Sequence, residues 1–356
     1  MFIVSSWCRG AFGFHHPVGL VVMWAMVGMV VWMPGCQLVE RDREAYSEQN
    51  KAAQSSVDTP DDAKAEDGTG SSFATAATFT DSDPIQSEQS VLDRAKTSPK
   101  AGDVDGQLSS WQSIDEMILF QPVKYPRGFR RLLIEGQRVI FPSQDGTQLD
   151  GRFFRSVKPR QVVLFCHGNG GNLSHRTARM DRLQEKHQVA IFLFDYRGYG
   201  RSAGKPTVAA ALVDGRAALL KAAEIGKVDP ADIIVMGRAM GGAIAATLAI
   251  EFECKGLILE STFTSFRDVA KQRTGGMVHW VIPEDRLNTL AKIKDYGGRL
   301  LISHGTADRT IPYQQGRDLF AAANQPKRFF EITDGGHGDP MPVQYDQVLD
   351  EFFAWD

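Results

Sequence analysis

The fold class that this sequence predicts is α/β, a doubly wound and mostly parallel sheet, and three observations predict it. From about residue 121 onward, short runs rich in Val, Ile, Leu and Phe recur along the chain; helical stretches separate them; and glycine-rich or polar motifs follow the runs. Runs that are apolar throughout are buried on both faces, which is what crossover helices do to parallel strands. Alternation of strand and helix then gives one sheet with helices on both sides.

The elements justify themselves in order. Residues 138–142 and 149–155 flank the turn signal Asp145 and Gly146, and read as an antiparallel strand pair at the start of the domain. Strands are expected at 162–166, 189–195, 233–237, 256–260, 300–304 and 329–332, with helices at about 175–186, 208–225, 240–251, 314–323 and 342–353. Pro206 stands before the second helix, and Gly226 and Pro230 stand after it, where such residues stop and start helices. Between Ser261 and Arg299 there is no room for a large cap domain. The apolar patch from Met277 to Pro283 in that segment reads either as a pocket wall or as ordinary helix packing.

Upstream of this domain the composition changes. Pro17 to Met33 is uncharged and apolar, follows Arg9, and runs into Pro34, Gly35 and Cys36, the layout of an export signal. A cysteine directly after a small residue also resembles the lipobox of bacterial lipoproteins, in which the cysteine is acylated, although Met33 and Pro34 depart from that pattern. The alternative is an uncleaved anchor, because about 17 apolar residues is the lower limit for a bilayer span. The expectation is therefore a signal or anchor over 1–36, a disordered tether over 37–120 whose Ser, Thr, Asp, Glu and Gln cannot bury enough apolar surface to fold, and a globular domain over 121–356. Membrane attachment through the N-terminus follows, as an exported lipoprotein facing the periplasm or the outside.

Formal net charge is −3, which leaves no global basic surface and argues against nucleic acid as a partner. Of the four cysteines, Cys8 and Cys36 belong to the targeting region, while Cys166 and Cys254 border strands and read as small core residues rather than a disulfide. No Cys/His cluster has zinc spacing, so neither metal nor cofactor is expected.

The chemistry sits after the strands, where α/β sheets collect ligands. In chain order these motifs are HGNGGN from His167, DYRGYGRS from Asp195, GRAMGG from Gly237, HGTADRTIP from His304 and GGHGD from Gly335. In that order they resemble the α/β-hydrolase superfamily over about residues 130–353, in its cap-poor branch of serine aminopeptidase-like proteins and depalmitoylase-like esterases. The resemblance implies an α/β-hydrolase fold and a small acyl or peptide-like ligand. It implies that Asp308 is the acid that orients the general base His337, and that the backbone N–H groups of Met240 and Asn169 form the oxyanion hole. Gly237 and Gly241 would permit the tight strand-to-helix turn. Ala239 occupies the position of the nucleophilic serine. A methyl group can neither attack nor be activated, so acyl-enzyme catalysis is expected to be impaired. Two alternatives stay open: hydrolysis by water that His337 and Asp308 activate or with substrate assistance, and a non-catalytic binding or interaction scaffold. Asp195 and Arg197 read as structural braces. Ser202, Ser261 and Ser303 are no substitutes for the serine because none stands at the elbow.

Overall fold

The structure, a computed structural model, describes residues 118–125, 136–277 and 279–355; the targeting segment with Cys36 and nearly all of the expected tether lie outside the described residues. Ten strands are described: β1 (Gln121–Pro122), β2 (Gln137–Pro142), β3 (Gln148–Phe154), β4 (Val162–Cys166), β5 (Gly170–Gly171), β6 (Ala190–Phe194), β7 (Ile234–Arg238), β8 (Gly256–Glu260), β9 (Arg299–Gly305) and β10 (Lys327–Ile332). The helices are α1 (Thr177–His187), α2 (Val208–Gly226), α3 (Met240–Glu251), α4 (Phe266–Arg273), α5 (Thr289–Lys292), α6 (Tyr313–Ala322) and α7 (Val343–Phe353).

Eight strands form one sheet in the order β10-β9-β8-β7-β4-β6-β3-β2. The β2–β3 and β3–β6 pairs are antiparallel, and every other pair in this sheet is parallel. Successive side chains of a strand point to opposite faces, so each central strand feeds two cores. Leu164, Phe192, Val235 and Leu259 pack into one core with α2 and α3; Val163, Ile191, Ile234 and Ile258 pack into the other with α1 and α7. The sheet is doubly wound because both faces of its central strands are apolar.

α3 has no polar face at all: every residue from Met240 to Ala249 is buried. A helix apolar all round is stable only as a core element, and α3 packs closely against its neighbours. A Cβ on Gly242 would overlap the Thr262 hydroxyl, and one on Gly215 of α2 would stand 3.0 Å from Leu248.

The packing reaches upstream of Gln121. Ile118, Leu119 and Phe120 are buried, and β1 pairs in parallel with β5 in the loop after β4. A two-residue strand has no period to read. α4 is a second element absent from the sequence expectations. Phe266, Val269 and Ala270 form its buried stripe, and the Ser265 hydroxyl caps it by accepting from the Asp268 N–H at 3.1 Å. The segment holding Met277 and Trp280 leaves both side chains exposed, while Ile282 is buried.

Candidate active site

Chain order moves outward from β4 in both directions, toward β6 on one side and β7 on the other. The carboxyl ends of β4 and β7 thus flank the switch point of the sheet, where a crevice forms. The loop from His167 leaves β4 there, and the elbow leaves β7 beside it.

Ala239 sits between β7 and α3 at φ 51° and ψ −117°. A residue with a Cβ avoids this region because of clashes with its own backbone, at a cost on the order of 1–3 kcal/mol. The surroundings hold it there. Its N–H donates to the Glu260 carbonyl at 2.9 Å, and its carbonyl accepts from the Gly242 N–H at 3.0 Å. The turn closes only because Gly237 and Gly241 lack side chains: a Cβ on Gly241 would overlap the Cys166 carbonyl oxygen, and one on Gly237 would overlap that of Gly241. Backbone geometry fit for a presented nucleophile is thus kept around a methyl group.

Asp308 follows β9 and His337 follows β10. His337 Nδ1–H donates to Asp308 Oδ2 at 2.8 Å. The other carboxylate oxygen accepts from the N–H groups of Thr310 at 2.9 Å and Ile311 at 2.8 Å. Burial alone would push the Asp308 carboxyl up, but these bonds, together with His304 and the nearby His337, hold it well below the usual carboxylate range. His304 Nε2–H donates to the Ile311 carbonyl at 2.8 Å and lies 3.5 Å from Asp308 Oδ2. An ionised acid fixed by backbone donors keeps the imidazole in one tautomer, leaving Nε2 on the opposite side of the ring.

Asn169, Met240, Ala239 and His337 line one small cavity of about 20 Å³, together with Leu119, Phe263, Val269, Arg273, Thr310 and Ile311. That volume is enough for one water-sized group. Met240 is the first residue of α3, so its N–H has no partner within the helix, and the positive end of the helix dipole lies there. Asn169 N–H is oriented by a residue further back. His167 Nδ1–H donates to the Gly168 carbonyl at 2.6 Å. The Gly168 carbonyl and the Asn169 N–H belong to one planar peptide group and point in opposite directions, so fixing one fixes the other. Burial lowers the His167 pKa to about 3, which keeps the ring neutral. The Asn169 carbonyl is in turn held by the Tyr199 hydroxyl at 2.7 Å and the Gln121 N–H at 3.2 Å.

The remaining motif residues serve other ends. Arg197 pairs with Asp214 and Asp145, both at 2.7 Å, and Asp195 accepts from the Leu173 N–H at 2.7 Å. Asp195 and Arg197 therefore brace different contacts and do not pair with each other. Ser202 bridges the Asp195 carbonyl and the Asp150 N–H, and neither it nor Ser261 or Ser303 lines the cavity at Ala239. Cys166 and Cys254 are buried free thiols, each pushed up to about 12 by burial. A larger hollow of about 620 Å³ is lined by Thr264, Asp268, Lys271 and Gln315 and touches neither Ala239 nor His337.

The contacts of three residues at the site were not legible in the sequence. Arg238 is half-buried and outside the cavity lining, and its guanidinium donates to the His337 carbonyl, which ties the end of β7 to the histidine loop. Arg273 reaches the cavity from α4, with one guanidinium nitrogen donating to the Ile118 carbonyl at 2.6 Å. His167 acts through a peptide plane. Only the HGNGGN motif carried any signal for these, by placing a histidine one residue before the turn.

Comparison with known proteins agrees with this architecture. The family described as serine aminopeptidase, S33 matches residues 157–295. YfhR of Escherichia coli K12, an uncharacterized protein, is 32% identical over 225 residues, covering 60% of this chain and 78% of its own length. The α/β hydrolase domain-containing protein WAV2 of Arabidopsis thaliana is 30% identical over 256 residues, covering 64% of this chain and 82% of its own length. The esterase Pf2001 of Pyrococcus furiosus superposes with a TM-score of 0.54 at 18% identity, covering 66% of this chain and 97% of that one. The chain belongs to the α/β-hydrolase superfamily.

Proposed function

We propose that this protein binds a small acyl or peptide-like ligand at the Asp308–His337 dyad and does not form an acyl-enzyme, and that it does so tethered to a membrane through an acylated Cys36. The carrying observation is Ala239: it holds the strained elbow conformation beside an intact dyad, with no atom that His337 can activate. In enzymes of this design, loss of the serine costs on the order of a millionfold in turnover, while the oxyanion hole and binding retain roughly a thousandfold over water. A binding function therefore survives the substitution far better than the covalent chemistry does.

A second reading, direct attack by water on a bound ester, is favoured by the cavity volume of about 20 Å³ at Ala239. One experiment separates the two. In the natural chain, fluorophosphonate labelling and hydrolysis of short activated esters are expected to stay at the level of His337→Ala. Ala239→Ser is expected to label at the new serine, with a gain on the order of a thousandfold or more that vanishes with His337→Ala. Hydrolysis by the natural chain that depends on His337 would favour the water route. A folded Ala239→Ser protein that does not label would overturn the site assignment.

A further inference from the structure

We infer that residues 118–125 form a strap that positions the oxyanion loop after β4, and that the Tyr199 hydroxyl is its clasp. This rests on the site assignment above, in which Asn169 supplies one of the two donors, and adds to it a positioning residue and the stretch of chain that residue holds.

Three observations carry it. The first is a closed triangle of hydrogen bonds. A tyrosine hydroxyl has one proton to give and lone pairs to accept with. Tyr199 gives its proton to the Asn169 carbonyl at 2.7 Å and accepts from the Gln121 N–H at 3.2 Å. The same Gln121 N–H also reaches the Asn169 carbonyl, at 3.2 Å. Burial pushes the Tyr199 hydroxyl up, so it stays protonated and keeps its donor role.

The second is which peptide group the triangle holds. Asn169 stands between two peptide planes, and the directions of both set its backbone angles. His167 holds the plane before it, through the Gly168 carbonyl at 2.6 Å. The triangle holds the plane after it. A loop pinned at one plane can still swing about that pin; pinned at both, Asn169 keeps one orientation in the wall of the cavity that it shares with Ala239 and His337.

The third is what orders the strap. Gln121 to Lys124 are exposed, and β1 and β5 form a two-stranded sheet apart from the eight-stranded one. Apolar burial ends at Phe120 and does not account for the path of the next four residues. Hydrogen bonds to two loops do. The Val123 N–H donates to the Gly171 carbonyl at 3.2 Å, and the Val123 carbonyl accepts from the Asn172 side-chain amide and from the Gly200 N–H, both at 3.0 Å. One carbonyl thus joins the loop after β4 to the loop after β6. At the near end, Leu119 lines the cavity and the Ile118 carbonyl accepts from Arg273 of α4 at 2.6 Å. The boundary expected at residue 121 therefore cuts through the site.

Two variants test the strap, each removing one corner of the triangle. Tyr199→Phe deletes the hydroxyl and keeps the ring, which packs edge-on against Phe120 at 6.4 Å. Gln121→Pro keeps the extended backbone that Pro122 already favours at this position and removes the N–H. In the full natural chain, either variant is expected to speed hydrogen exchange within residues 168–172 by about tenfold or more, with β7 and α3 unchanged. In the Ala239→Ser background, either is expected to lower kcat for short activated esters by about tenfold at unchanged KM, because an oxyanion donor acts mainly in the transition state. Combining the two should cost no more than either alone, since both open the same triangle. Unchanged exchange at 168–172, losses in kcat that multiply in the double variant, or a lower melting temperature with kcat unchanged would each overturn the strap. An Ala239→Ser protein that stays unreactive would overturn the site assignment instead, and exchange at 168–172 would then decide the strap by itself.

Discussion

Two glycine-punctuated loops at the same edge of the sheet serve opposite ends. In the loop after β6, polar groups brace one another: Arg197 makes three bonds to the Asp214 carboxylate through Nε and Nη2, Asp214 Oδ2 also accepts from the Arg197 N–H, and Ser202 joins the Asp195 carbonyl to the Asp150 N–H of β3. In the elbow after β7, Ala239 is strained, α3 starts without a side-chain cap, and a cavity is left open beside the first N–H groups. Both segments are glycine-punctuated, but only the first is polar in sequence. What separates them is side-chain bracing: in the first, Arg197, Asp214 and Ser202 tie the loop to the fold, whereas the second is a strained turn with no side-chain cap.

That contrast is open to measurement. The largest stability effect belongs to the brace. Asp214→Ala is expected to destabilise the domain by about 3–5 kcal/mol in denaturant titration, because the buried Arg197 guanidinium loses its principal counter-charge. A loss under about 1 kcal/mol would mean that Asp145 alone suffices for Arg197.

His167 gives the next effect, through pH. Its folded pKa of about 3 lies below the unfolded value of about 6.5. The unfolded chain therefore takes up the proton first. The stability contributed by the neutral ring is complete above about pH 6.5 and is lost as the pH falls toward 3. Between pH 6.5 and 5 the loss is about 2 kcal/mol. His175, lowered by burial and by Arg176, acts in the same direction. Asp308 contributes only below about pH 4, since its folded pKa is depressed from the ordinary 3.8. His167→Asn, which keeps a donor for the Gly168 carbonyl, should remove much of the slope between pH 5 and 6.5. An unchanged slope would place the proton uptake elsewhere.

The smallest effect is at the elbow. Ala239→Gly releases the strain of φ 51° but adds freedom to the unfolded chain, and is expected to stabilise the domain by about 1 kcal/mol in the same titration. Destabilisation by that amount would show that the Ala239 methyl packs better than its conformation costs.

Much of this was legible without coordinates. The apolar runs at 162–166, 256–260 and elsewhere coincide with strands to within two residues or so, because burial on both faces leaves an unbroken apolar signature. β1 and α4 were not legible. β1 exists only because the Gly170–Gly171 backbone is there to pair with it, and α4 has a stripe of only three buried residues. The positions of Asp308 and His337 could be read from motif order, but the roles of Arg238, Arg273 and His167 could not.

By itself the sequence determined the alternation of strand and helix, the glycines that let β7 turn into α3, and the absence of a hydroxyl at Ala239. These are local properties, set by side-chain period, by the presence of a Cβ and by the atoms of one residue. Only the tertiary structure decided that the Arg238 guanidinium meets a carbonyl 99 residues away, that Asp308 receives two backbone donors beside His337, and that Ala239 and His337 line one small cavity. Hydrogen bonds depend on the directions of peptide planes and cavities on the packing of several elements at once, and neither is encoded at any single position.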